Sequence, residues 1–316
     1  MIKNFFSVGY LLLFVASANC QDGKLVSQTS YLFADTSIKK LERTLPDVQS
    51  VLNSVDFYSI TYLSDGLKVN GYLAVPKKQG MYPGIICNRG GNRELGALND
   101  VQIFRVLGMV ASYGYVCIGS QYRGNGGSEG KEEFGGDDVN DVLNLIPVLS
   151  SIKKADTSRL GMYGWSRGGM ETFLALTKTC RMKAAVIMSG MSDAFITIKK
   201  RPQMENQFKD LVPGYAQNKD SVLKTRSAVS FVDKICPTTP LLLLTGTADW
   251  RVSPEEQLEM VNRLYEIRHP MRFEMFEGGQ HNLIEHAEEV QHSIKVFLDH
   301  YVRDKLTYPS LEPHGN

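Results

Sequence analysis

The chain has 316 residues, 43% of them hydrophobic and 22% charged, with a formal net charge of +1. That composition supplies the core of a globular α/β domain of about 250 residues. The near-neutral balance gives no sign of a nucleic-acid surface or an acidic polymer partner, and no low-complexity tract, repeat or block of like charge is present. At the N-terminus, Lys3 precedes an apolar stretch over 8–16, followed by Ala16-Ser17-Ala18. This pattern predicts a secretory signal peptide over 1–20, cleaved after Ala18 or before Gln21. The apolar run is short for a bilayer span. Cys20 offers a second route, a lipid-modified N-terminal cysteine, although Ser17 stands where a lipobox has a large aliphatic. The protein is therefore expected to be exported, periplasmic or extracellular, with Cys20 as its only link to a membrane.

Residues 21–53 form an N-terminal extension with a weakly amphipathic helical stretch over 38–52, interrupted by Pro46. Alternating strand and helix signals then begin and define one domain over 54–303. Residues 55–62 and 67–75 have period-2 character and are joined by the turn Ser64-Asp65-Gly66. Short buried strands are predicted over 83–88 and 115–119, and helices over 101–112 and 137–151, the latter opening with Asp137 and Asp138 at the positive end of its dipole. A strand over 159–163 leads to Gly164-Trp165-Ser166-Arg167-Gly168-Gly169, and a helix follows over 168–177. Residues 184–188 and the continuous apolar run 241–244 read as strands buried on both faces. Between them, 190–235 is long for a connection and predicts a small helical lid. Ser253 and Pro254 open a helix over 254–267, a last strand spans 271–276, a last helix 283–302, and 304–316 is a tail. Strands alternating with helices predict a mostly parallel central sheet with helices on both faces.

The chemistry is carried by the G-x-S-x-G-G hexapeptide. Between a strand and a helix it has the form of a nucleophile elbow, which makes Ser166 the candidate nucleophile. A serine hydroxyl needs a base, and the base needs an orienting carboxylate. Active groups in an open α/β sheet gather at the carboxyl ends of strands. Asp249 follows the run 241–244 by one short turn, and His281 follows the last strand in Glu277-Gly278-Gly279-Gln280-His281. The chain order Ser, Asp, His is that of α/β-hydrolases. Asp193 is a rival acid or a substrate contact. The oxyanion hole needs two donors: the backbone N–H of Arg167, and one from Arg89 or Gly90 in the loop Asn88-Arg89-Gly90-Gly91-Asn92. Arg89, Arg123 and Arg167 lie near the expected mouth. They either bind an anionic group or form structural ion pairs with Asp137, Asp138 or Glu171, the latter being favoured. Trp165 and Trp250 flank triad residues and are candidate pocket walls, with Arg123 and Asp193.

The five cysteines include no C-x-x-C and no Cys/His cluster. A disulfide framework and a zinc site are not expected, whereas an isolated disulfide is compatible with export. Cys87 and Cys117 fall in core strands, where cysteine acts as a small apolar residue.

Jointly, Tyr122-Arg123-Gly124-Asn125-Gly126-Gly127-Ser128, Phe134-Gly135-Gly136-Asp137-Asp138-Val139, the segments 159–169 and 240–254, and Gly278-Gly279-Gln280-His281 resemble the catalytic domain of the prolyl oligopeptidase family, within the α/β-hydrolases. The resemblance covers about 67–302. It implies the α/β-hydrolase fold, a Ser166–His281–Asp249 triad, and cleavage of a small peptide or ester without metal or organic cofactor. The family's β-propeller, which filters substrates by size and anchors their amino ends, is not expected, since some fifty residues precede the hydrolase. Arg167 replaces a tyrosine often found after the nucleophile. Related stand-alone domains include carboxylesterases and deacetylases of sugar esters, and the hydrolase scaffold also supports non-catalytic binding proteins.

Overall fold

The computed structural model describes residues 21–315 apart from Pro46. The predicted signal peptide and Cys20 lie outside the described residues. Nine strands form one sheet: β1 (Leu25–Ser30), β2 (Val55–Ser64), β3 (Leu67–Pro76), β4 (Tyr82–Asn88), β5 (Val116–Ser120), β6 (Ala155–Trp165), β7 (Met182–Met188), β8 (Leu241–Gly246) and β9 (Met271–Phe276). Their order is β1-β2-β3-β5-β4-β6-β7-β8-β9. The strands from β5 to β9 run parallel, and β1, β2 and β3 pair antiparallel on one side. This is the α/β-hydrolase fold.

Burial explains why the middle strands read as unbroken apolar runs. Every residue of β8 is buried, and its side chains alternate between two cores. Leu241 and Leu243 join one cluster with Ile86, Ile118 and Ile187. Leu242 and Leu244 join the other with Ile85, Cys117 and Val186. With helices on both faces, neither face can be polar. The β2–β3 hairpin turns through Asp65 and Gly66, both at positive φ (50° and 78°), as a two-residue turn matched to strand twist requires.

The structure moves the expected start of the domain. The sheet begins inside the 21–53 extension, because β1 adds to β2 antiparallel. Five of its six residues are exposed, so it buries neither face and carries no alternating signal to read. The helical stretch is two short helices, Asp35–Glu42 and Val48–Ser54. The helix over 100–112 contains a π-helical segment, Ile103–Gly108.

Between β7 and β8 the chain forms three short helices, Ala194–Lys200, Met204–Leu211 and Tyr215–Lys224, followed by 3-10 turns. They pack over the helix Arg167–Leu176 through a small core of their own, including Met170, Met204, Phe208 and Tyr215. Cys180 and Cys236 form a disulfide, with Cα atoms 5.3 Å apart, across a separation of 56 residues. The bridge spans β7 and the whole insertion. Replacing both cysteines with serine is expected to cost about 2–4 kcal/mol of stability. Urea unfolding checks this, and an unchanged midpoint would show the bridge to be dispensable. Among the described residues no helix is long and apolar enough to cross a membrane.

Candidate active site

The strand order reverses around β4: β5 lies on one side of it and β6 on the other. Loops leaving β4 and β6 therefore diverge and open a crevice at the carboxyl ends of these strands. Ser166 stands there, between β6 and the helix Arg167–Leu176. Its backbone is at φ 59°, ψ −124°, a region costing a non-glycine residue about 1–3 kcal/mol. Three backbone hydrogen bonds hold it in place. Its N–H donates to Met188 O (3.0 Å), and its carbonyl accepts from Gly169 N (2.9 Å) and Met191 N (3.1 Å). The flanking glycines have a steric reason. A Cβ on Gly164 would overlap Gly168 O, and one on Gly168 would overlap Asn88 O. The turn is tight enough that only backbone fits on either side of the serine.

Ser166 Oγ lies 2.9 Å from His281 Nε2, and His281 Nδ1 lies 2.8 Å from Asp249 Oδ2. Asp249 Oδ1 is occupied separately, accepting from Arg251 N (2.8 Å) and Val252 N (3.0 Å). The carboxylate is thus pinned by backbone donors on one oxygen and presents the other to the imidazole. The acid and histidine loops are tied together by Ala248 N donating to Gly279 O (3.0 Å) and Thr247 N to Phe276 O (2.9 Å). Trp165 Nε1 donates to His281 O (3.2 Å), and its ring packs 5.5 Å from the imidazole.

Gly90 lies directly against the serine: an added Cβ would sit 3.0 Å from Ser166 Cβ. Gly91 turns the loop at φ 70°. Arg167 holds the first position of its helix, where a backbone N–H has no acceptor within the helix. The Arg167 N–H and the Gly90 backbone therefore adjoin the nucleophile. The Arg89 side chain is turned inward, donating to Gln121 O (2.9 and 3.1 Å), Gly90 O (3.2 Å) and Arg93 O (3.1 Å). Burial, and then the neighbouring Arg167, pull its pKa down to about 10.

Two candidate pocket residues are corrected. Arg123 does not line the cleft; it is buried in ion pairs with Asp141 (2.8 Å) and Asp65 (2.7 Å). Asp193 does not line it either. It caps the helix Ala194–Lys200, accepting from Phe195 N (2.8 Å) and Ile196 N (3.3 Å). In both cases a strong local partner captures the side chain before it can reach the cleft. Arg167 pairs through its guanidinium with Glu132, Asp138 and Glu171 beneath the elbow, and stacks on Tyr122 and Phe134. Burial pushes the carboxyl pKa values of Asp138 and Glu171 up.

Trp165 and Trp250 do line the cleft, which has a volume of about 580 Å³. Asn92, from the loop after β4, lines it too, as do Met191, Arg201 and Met204; the last three were not legible in the sequence, because the insertion carries no motif with a fixed chemical spacing. Glu256 sits under the insertion with its pKa raised to about 8 by burial. It accepts from Thr197 Oγ1 (2.9 Å) and from the backbone of Ser192 and Asp193 (3.3 and 3.2 Å).

A strained serine at a strand-to-helix elbow of this fold defines a serine hydrolase. The prolyl oligopeptidase family model matches residues 102–305, and the chain belongs to that family. The uncharacterized peptidase YtmA of Bacillus subtilis (strain 168) is 30% identical over 218 residues, covering 69% of this chain and 82% of that protein. The uncharacterized peptidase YuxL of the same organism is 29% identical, and the match spans 34% of its length. Among solved structures, an acylaminoacyl peptidase in complex with Z-Gly-Gly-Phe-chloromethyl ketone superposes with a TM-score of 0.68 at 22% identity. That match covers 82% of this chain and 43% of the peptidase, less than half its length. An acetyl xylan esterase from Paenibacillus sp. R4 superposes with a TM-score of 0.63 at 18% identity, over 87% of this chain and 88% of the esterase.

Proposed function

We propose that this protein is an exported serine peptidase that cleaves small peptides by acyl transfer, with Ser166 as nucleophile, His281 as general base and acid, and Asp249 as the orienting carboxylate. The reading rests on the unbroken hydrogen-bond chain Ser166–His281–Asp249, at 2.9 and 2.8 Å. Ser166 Oγ forms a bond to the substrate carbonyl carbon as its proton passes to His281 Nε2. The negative oxygen that develops is met by the backbone N–H groups of Arg167 and Gly90. His281 then protonates the leaving amine, the C–N bond breaks, and an acyl-enzyme remains. Water, deprotonated by the same imidazole, releases the acid and restores the serine. Asp249 keeps the Nδ1 proton in place and stabilises the imidazolium. Export is supported by the signal-like N-terminus and by the Cys180–Cys236 bridge, since disulfides persist in oxidising compartments.

The same steps open an ester, with an alcohol in place of the amine. That second reading is favoured by the superposition on an acetyl xylan esterase over 88% of its length. An X-Pro 4-nitroanilide compared with a short-chain 4-nitrophenyl ester separates the two. Turnover of both is expected of the peptidase. Turnover of the ester with none of the anilide would sink the peptidase reading and leave the esterase.

A further inference from the structure

Among the described residues, the charged residues lining the cleft, His281 apart, are Arg105, Arg167, Arg201 and Arg251, with no Asp or Glu. Arg167 is already matched by Glu132, Asp138 and Glu171. Arg105 donates to Thr44 Oγ1 (3.1 Å) and leaves its Nε without a partner; Arg201, at the end of the helix Ala194–Lys200, differs in lying beside Trp250 and Arg251. Its guanidinium lies 5.2 Å from the centre of the Trp250 ring, and that of Arg251 lies 4.9 Å from the same ring. Its Nη1 donates to Arg251 O (2.8 Å). Its Nε is buried with no partner, and no acceptor for Nη2 is found among the described residues. A buried N–H without an acceptor costs about 1–3 kcal/mol and calls for an explanation.

The donors of a guanidinium fork match the oxygens of a carboxylate. The carboxylates nearest to Arg201 are engaged elsewhere. Asp249 is held by His281 and by two backbone N–H groups. Glu256 is held by Thr197, Ser192 and Asp193. The guanidinium lies over the ring of Trp250, itself 60% exposed; with Nε buried and Nη1 engaged by Arg251 O, Nη2 is the donor left for a ligand.

We propose that the guanidinium of Arg201, lying over Trp250 and backed by the charge of Arg251, binds a carboxylate of the substrate through Nη2 and makes the enzyme selective for anionic substrates. This rests on Ser166 being the nucleophile of the same cleft. The carboxylate belongs either to the acyl part or to the leaving group. Three esters distinguish these: mono-4-nitrophenyl adipate carries it on the acyl side, 3-carboxy-4-nitrophenyl hexanoate on the leaving group, and 4-nitrophenyl hexanoate on neither.

The readout is the ratio of kcat/KM for each anionic ester to that for the neutral one. In the wild type one ratio is expected to exceed unity and to fall as sodium chloride is raised from about 0.05 to about 0.5 M. In Arg201→Gln that ratio is expected to drop about ten- to hundredfold, because a charge-assisted pair is lost. Arg201→Lys, which keeps the charge without the fork, is expected to recover part of it. Ratios below unity in the wild type, or the same ratio in wild type and Arg201→Gln, would overturn the inference. The salt series needs no variant, so it stands even if Arg201→Gln fails to fold. Hydrolysis of the neutral ester surviving in Ser166→Ala would instead overturn the nucleophile, which keeps the two failures apart.

Discussion

Ser166→Ala is expected to lose all labelling by a fluorophosphonate probe and to lower kcat on a 4-nitrophenyl ester by about a millionfold. The effect is that large because the proposed covalent step rests on this one hydroxyl, which lies 2.9 Å from His281 Nε2. Some catalysis over water survives such a change, since oxyanion donors and binding remain. The fold is expected to survive too. The bonds that hold the elbow are made by the Ser166 backbone to Met188, Gly169 and Met191, and none of them uses Oγ. Retained circular dichroism and thermal midpoint would confirm that the loss is chemical. Equal labelling of wild type and variant would remove Ser166 from the mechanism.

Asp249→Asn is expected to lower kcat by about ten-thousandfold, the size of the corresponding change in the serine-protease triad. The geometry gives the reason. Asp249 Oδ1 takes two backbone N–H donors, at 2.8 and 3.0 Å. An asparagine oxygen would keep those bonds and turn its NH₂ toward His281 Nδ1. Two donors cannot face each other, so the imidazole would carry its proton on Nε2 and could no longer accept one from Ser166. The variant should still fold, because the backbone bonds are kept. A loss below tenfold would show that another carboxylate orients His281. Asp193, the rival in sequence, is bound instead to the amides of Phe195 and Ile196.

Both predictions use residues that could be picked from the chain alone. Ser166 was legible because backbone crowding demands small residues at Gly164 and Gly168. Asp249 and His281 were legible because each follows an apolar strand at the end of the sheet where catalytic groups gather. The hairpin at Asp65-Gly66 and the buried strand Leu241–Gly246 follow from turn geometry and two-sided burial in the same way. The edge strand Leu25–Ser30 escaped notice because it is mostly exposed and so has no pattern. The disulfide was compatible with the cysteine count, but its pairing depends on which thiols meet in space, across 56 residues.

The side chains around Ser166, His281 and Asp249 divide along the same physical line. Steric rules and hydrophobic periodicity act over a few residues, so the linear chain was enough to locate the elbow, the strand ends and the insertion between β7 and β8. A long charged side chain answers to whichever partner is within reach, and most of these partners are distant in sequence, although Glu171, one turn along the helix from Arg167, was among the pairings the sequence favoured. Asp65 and Asp141 draw Arg123 into the protein, and Glu132, Asp138 and Glu171 draw in Arg167. Arg201 finds an aromatic ring and a carbonyl but no carboxylate partner among the described residues, and only the folded structure places its guanidinium at the cleft.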